Sequence, residues 1–206
     1  ASRLSVEGPI VKEKGSFLIS GRRTYADAFL ALSNDEQLSN NSLYFYDFNA
    51  KANYRINDKN RVYLSGYFGR DVLGLGDNFG IDWGNKTGTL RWNHLYNPKL
   101  FSNTSLIFSE YDFKVNVQAG SNDFSIVSSI QDWNLKHEFQ WYPSPDHKFR
   151  FGGNMIYHTI TPGEVYSGDT LAFSGSQLQE RYALENAVWA SGESILSFRF
   201  ILAYGL

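Results

Sequence analysis

The sequence predicts an all-β chain, an antiparallel up-and-down barrel that crosses a membrane with strands, about ten of them present in one domain over residues 1–206. Three observations predict it. First, residues 43–56 alternate strictly: Tyr44, Tyr46, Phe48, Ala50, Ala52, Tyr54 and Ile56 share one side, and Asp47, Asn49, Lys51, Asn53 and Arg55 share the other. Successive side chains on a strand point to opposite faces, so this segment has a greasy face and a charged one. Second, the segment is far longer than an ordinary soluble strand. Third, aromatics close both ends of its greasy face around small residues, the arrangement of a lipid-facing strand between two interfacial girdles.

Composition agrees. Aromatic content is 17% and mean hydropathy is −0.36. No apolar run is long enough for a transmembrane helix, but a barrel strand needs only every second residue apolar. With no Cys, disulfides, thiolate metal sites and Cys nucleophiles are excluded. A net charge of −2 and the lack of a basic stripe argue against a nucleic-acid partner.

Read in order, strands are expected at 3–8, 15–22, 43–56, 61–70, 83–95, 100–113, 124–142, 147–160, 179–190 and 195–206, with a short helix at 25–32. Short connections at 9–14, 57–60, 97–99, 143–146 and 191–194 carry turn chemistry such as Asn-Asp-Lys-Asn and Pro-Ser-Pro-Asp. Longer ones at 23–42, 71–82, 117–123 and 161–178 alternate with them. Tight turns on one side and extended loops on the other are the asymmetry of outer-membrane barrels. The seventh strand repeats the opening pattern: Trp133, Leu135, His137, Phe139 and Trp141 oppose Asp132, Asn134, Lys136, Glu138 and Gln140. The eighth sets Phe149, Phe151, Met155 and Tyr157 against Lys148, Arg150 and Asn154, and the last sets Leu196, Phe198, Phe200, Leu202 and Tyr204 against Ser197, Arg199 and Ala203. A Lys or Arg facing lipid at the midplane costs about 2–4 kcal/mol, so Lys51, Lys136 and Arg150 are expected to face a lumen. The sixth and ninth strands alternate less cleanly.

The segment Gly15-Ser16-Phe17-Leu18-Ile19-Ser20-Gly21-Arg22-Arg23-Thr24-Tyr25 resembles an early barrel hairpin of TonB-dependent outer-membrane receptors of Gram-negative bacteria. The preceding Arg3–Ile10 stretch, residues 3–10, resembles the first barrel strand and its periplasmic turn. The resemblance implies the N-terminal part of a barrel of about 22 strands, without its plug and its TonB-contacting segment. It implies a transport receptor of the outer membrane, not an enzyme, that imports a scarce ligand such as a metal chelate, oligosaccharide or peptide with TonB-coupled energy. Implied partners are the protein's own plug, TonB, outer-membrane lipid and lipopolysaccharide, and an unidentified small ligand; a surface lipoprotein is a further candidate. No cofactor is implied. Two other readings stay open: a complete small outer-membrane barrel (adhesin, protease or pore), and a soluble carbohydrate-binding β-sandwich.

The candidate site residues are the lumen-facing Asp47, Asn49, Lys51, Asn53, Asp132, Asn134, Lys136 and Glu138, which would hold plug or ligand, and a rim doublet, Arg22 and Arg23. The acidic stretch 71–82, with Asp71, Asp77 and Asp82, matches no calcium-loop spacing and reads as a solvated loop. His94, His137, His147 and His158 are not spaced as metal ligands, and the first two fall on girdle-like faces. Asp71, Asp77 and His158 are the residues a barrel-rim protease reading would need.

Overall fold

The computed structural model describes residues 1–35, 39–76, 78–119, 122–167 and 178–206. Ten strands form one sheet in sequence order, every neighbouring pair antiparallel. They are β1 (Ser2–Val11), β2 (Gly15–Arg23), β3 (Ser42–Asn57), β4 (Asn60–Leu75), β5 (Phe79–Asn97), β6 (Leu100–Ala119), β7 (Asn122–Ser144), β8 (His147–Ser167), β9 (Arg181–Ser197) and β10 (Phe200–Gly205). The helix α1 (Ala26–Ala31) lies inside the predicted one, between β2 and β3. The sheet is open: no ladder joins β10 to β1 among the described residues.

One end carries only tight turns, and local side chains set them. Asn57 accepts a hydrogen bond from the Lys59 amide at 3.0 Å, and Asn97 does the same for Lys99 at 2.9 Å. Both are Asx turns. Pro145 and Asp146 turn β7 into β8, with Pro in a position where its fixed φ suits the bend. In the β1–β2 turn Glu13 sits at φ 63°, the left-handed region that costs a side chain about 1–2 kcal/mol. Glu13→Gly should therefore raise the unfolding free energy by about 0.5–1 kcal/mol, read as a higher denaturant midpoint, once the greater freedom of glycine in the unfolded chain is subtracted. An unchanged or lower midpoint would count against that backbone.

The register fixes the slope of the strands. The ladders define a row crossing the sheet at right angles through Gly15, Tyr54, Val62, Trp92, Thr104, His137, Gly153 and Val188. Averaged over the two strands of each hairpin, the tight turns of β1–β2, β3–β4, β5–β6 and β7–β8 lie about two, four, six and eight residues from that row, and that of β9–β10, counted along β9 alone, about ten. One residue of stagger per strand, at a rise of about 3.3 Å and a strand spacing of about 4.8 Å, tilts the strands by about 35°. That is the tilt of membrane barrels.

The apolar face has two aromatic belts. Tyr54, Trp92, Phe139, Trp141, Phe149 and Phe151 lie toward the tight turns; Phe48, Phe68, Phe108, Trp133 and Tyr157 lie further along. Rings meet across strands, Phe108 on Trp133 at 5.0 Å and Phe139 on Phe151 at 5.2 Å. Ala50, Leu64, Leu90, Leu106, Leu135 and Met155 fill the band between. About seven residues separate the belts, or about 19 Å along the normal at this tilt. No hydrophobic side chain is buried among the described residues, and Val188, within the band, is 89% exposed. A sheet face of this kind is covered by hydrocarbon. Beyond the second belt the same face turns polar at once: Arg70 pairs with Asp82 at 2.6 Å and Asp112 at 3.1 Å, and Lys86 pairs with Glu110 at 2.7 Å. The apolar stripe therefore has a charged upper border.

Three expectations are corrected. The stretches 71–82 and 117–123 are not long loops; β4–β5 keep pairing up to Leu75 and Phe79, and β6–β7 up to Ala119 and Asn122. Gly- and Asp-rich composition suggested loops, but the ladder continues because each strand already has its partner in register. The last turn is not at 191–194. There β9 runs on to Ser197 and turns at Phe198 and Arg199. Pairing with β8 sets Ser194 opposite His147, where its hydroxyl meets His147 Nδ1 at 2.9 Å. The alternation read for 195–206 is thus split between two strands. Much of the predicted connection at 161–178 lies outside the described residues.

Candidate functional site: the polar face of the sheet

The expected site residues divide into two groups on one face. Ladders place Asn49, Tyr67, Thr87, Ser109 and Asp132 in one row, and Lys51, Ser65, Thr89, Ile107 and Asn134 in the next. Asn53 and Lys136 share a third row. Asp47 on β3 and Glu138 on β7 belong to the same face. Four strand spacings, about 19 Å, separate the β3 group from the β7 group, so they do not form one cluster. This face is the concave one over β1–β6: it lines a groove of about 850 Å³ bounded by Glu7, Lys51, Asn53, Tyr63, Ser65 and Arg91.

In the β3 group, Arg22 grips Asp47, its Nε and Nη2 both 2.6 Å from Oδ2, and lies over the Phe45 ring at 4.9 Å. The Arg22–Arg23 doublet is split, since consecutive strand residues take opposite faces. Arg23 turns to the other side, pairs with Asp27 of α1 at 2.8 Å and stacks on Tyr44 at 5.2 Å. It therefore ties α1 to the upper end of β3 rather than completing a two-arginine rim. Asn53 donates to Ser16 Oγ at 2.7 Å.

In the β7 group, Asp132 Oδ1 lies 2.7 Å from His158 Nδ1, whose Nε2 is 3.7 Å from Glu185 of β9. Lys136 lies 3.9 Å from Glu138 and 5.6 Å from the Trp189 ring. Gln140 donates to Glu138 at 2.7 Å. These contacts link β7, β8 and β9 across the polar face. The His158 link was not visible in the sequence, because Asp132 and Glu185 meet His158 only through cross-strand register.

The remaining titratable candidates scatter. His94, His137 and His147 lie on the apolar face: His94 meets Asn60 at 2.8 Å and Tyr96 at 4.4 Å, and His137 meets Thr104 at 2.8 Å. Asp71 and Asp82 take opposite faces of the β4–β5 hairpin, and Asp77 lies outside the described residues. Asp71 on β4 and His158 on β8 are four strands apart. No group of three His, Cys, Asp or Glu suited to a metal ion occurs among the described residues.

Sequence reasoning also missed a basic group near the tight turns. Arg55, Arg61 and Arg91 join Lys51 on the concave face, Arg55 directly opposite Arg61. The alternation assigns each to that face, but only the register puts them side by side.

No protein-family model matches the chain, and no curated protein matches it. Solved structures do. The ferric yersiniabactin uptake receptor FyuA from Yersinia pestis aligns with a TM-score of 0.65 at 9% identity, over 98% of this chain and 36% of the receptor. BauA, the ferric preacinetobactin receptor from Acinetobacter baumannii, aligns at 0.56 and 10% identity, over 99% of this chain and 41% of the receptor. The translocator domain of the autotransporter NalP from Neisseria meningitidis aligns at 0.46 and 7% identity, over 98% of this chain and 64% of that domain. The chain thus spans about two fifths or less of the length of the two receptors. At such identities the likeness concerns the fold alone. It joins the tilt, the belts and the open meander in one statement: the chain has the all-β, up-and-down architecture of an outer-membrane barrel wall.

Proposed function

We propose that the chain is a wall segment of an outer-membrane transport receptor that imports a scarce ligand with TonB-coupled energy. One observation carries this reading. The ten strands form an open sheet whose two edges are unpaired among the described residues, and hydrocarbon does not tolerate an unpaired strand edge. Such a sheet needs further strands to close it, as a large barrel supplies. The alignment with two siderophore receptors over nearly the whole chain supports the same reading. So does β7, whose 23 residues far exceed a bilayer crossing and give the tall outward hairpins of a receptor. In this reading the polar face, with Asp47, Lys51, Asp132 and Lys136, faces a lumen occupied by the plug.

A complete ten-stranded pore or enzyme is the second reading, and two measurements on the full-length protein separate them. A plugged receptor gives no steady conductance in planar bilayers and binds the periplasmic domain of TonB. Steady conductance together with no TonB binding would sink the proposal.

A further inference from the structure

The basic group on the concave face near the tight turns has no ion-pair partner among the described residues. Lys51, Arg55 and Arg91 are exposed and Arg61 is half-buried. No carboxylate lies within ion-pair distance of any of the four among the described residues. Elsewhere among the described residues Arg22, Arg23, Arg70, Lys86 and Lys136 are ion-paired, but Arg3, Lys114, Lys148, Arg150 and Arg181 are not, so what sets this group apart is its clustering by register. Arg55 and Arg61 are a directly opposed like-charge pair, an arrangement that destabilises a sheet unless an anion lies between them. Each of the two grooves here also has one acid in its lining, Glu7 in the larger and Asp58 in the smaller.

The surroundings suit a ligand. Two hollows, of about 850 and 360 Å³, share Tyr63 as a wall, within the usual size range of small-molecule sites. The Arg91 guanidinium lies over the Tyr63 ring at 4.2 Å, a cation–π contact that holds it on this face.

We infer that this face binds a small anion bearing carboxylate or phosphate groups, held between the Arg55 and Arg61 forks, with Lys51 and Arg91 as flanking charges. Guanidinium is suited to both groups, because its paired N–H donors match two oxygens at once. The inference rests on the lumen-wall reading above and adds to it the chemical class of the solute.

The test uses the full-length protein in detergent, with citrate and inorganic pyrophosphate as probes in a chloride buffer. The wild type should bind at least one probe, read by calorimetry. In Arg55→Gln/Arg61→Gln that affinity should fall at least about tenfold. Arg55→Lys/Arg61→Lys, which keeps charge but loses the fork, should fall between the two. Without probe, the Gln double variant should melt at or above the wild-type temperature, since a repulsion has been removed. Equal binding by wild type and Gln variant would overturn the inference. So would a lower melting temperature for the probe-free Gln variant, which would reveal a carboxylate of the protein itself between the arginines. Heat-modifiable migration checks folding, and Arg55→Gln alone serves if the double variant fails it. TonB binding and bilayer conductance are read separately, so loss of the anion site leaves the transport reading intact, and the reverse.

Discussion

Leu106→Arg will destabilise the folded protein in lipid bilayers by about 2–4 kcal/mol, the depth-dependent cost of an arginine at the midplane. Leu106 lies seven to eight residues from the tight turn at 98–99, midway between the two belts, with Leu90 and Leu135 beside it in the ladder. It is 43% exposed on the apolar face, the side that a barrel wall turns to lipid. The informative control is its neighbour. Ile107 is equally apolar but takes the concave face, between Thr89 and Asn134. Ile107→Arg should cost less than about 1 kcal/mol, because the new charge stays in a polar setting. Guanidinium unfolding from vesicles measures both. A soluble sandwich predicts the reverse ranking or none, since neither face would then meet hydrocarbon. Equal costs would remove the membrane assignment of the apolar face.

The same pair of residues shows what was legible in the sequence. Ile107 on the polar face is one reason the sixth strand alternates poorly by pattern. Face assignment from period two was sound wherever polar residues held the other side, as in β3 and β7. The starts of β2, β6 and β8, at Gly15, Leu100 and His147, were also legible, because Asx and Pro chemistry marks tight turns locally. What escaped was everything set by the ladder. A Ser-Gly-Glu-Ser stretch looks like a turn in isolation, yet pairing with β8 keeps it extended. A turn there would also break the regular stagger of two residues per hairpin that sets the tilt. The polar clusters escaped for the same reason. His158 reaches Asp132 and Glu185, and Arg55 faces Arg61, through register, which composition and spacing along one strand do not encode.

Register also makes the second large effect specific. Gly152→Ala will destabilise by about 2–4 kcal/mol, although it adds a single methyl group. A Cβ at Gly152 would collide with the backbone carbonyl oxygen of His137, and would stand 3.1 Å from both the Glu138 Cα and the Trp189 ring. Backbone on a central ladder cannot swing aside, so β7 and β8 must part along a pairing that runs nearly the length of both strands. Gly192 supplies the contrast. A Cβ there would also collide, but with the ring of Tyr204, a side chain on the edge strand β10 that is 46% exposed. That ring has room to rotate, so Gly192→Ala should cost less than about 1 kcal/mol. The ranking, Gly152 far above Gly192, is read from unfolding midpoints of the two variants side by side. A near-neutral Gly152→Ala would mean that β7 and β8 are not in close backbone contact there, and the polar links from β7 to Trp189 and Glu185, which depend on that spacing, would lose their geometric basis.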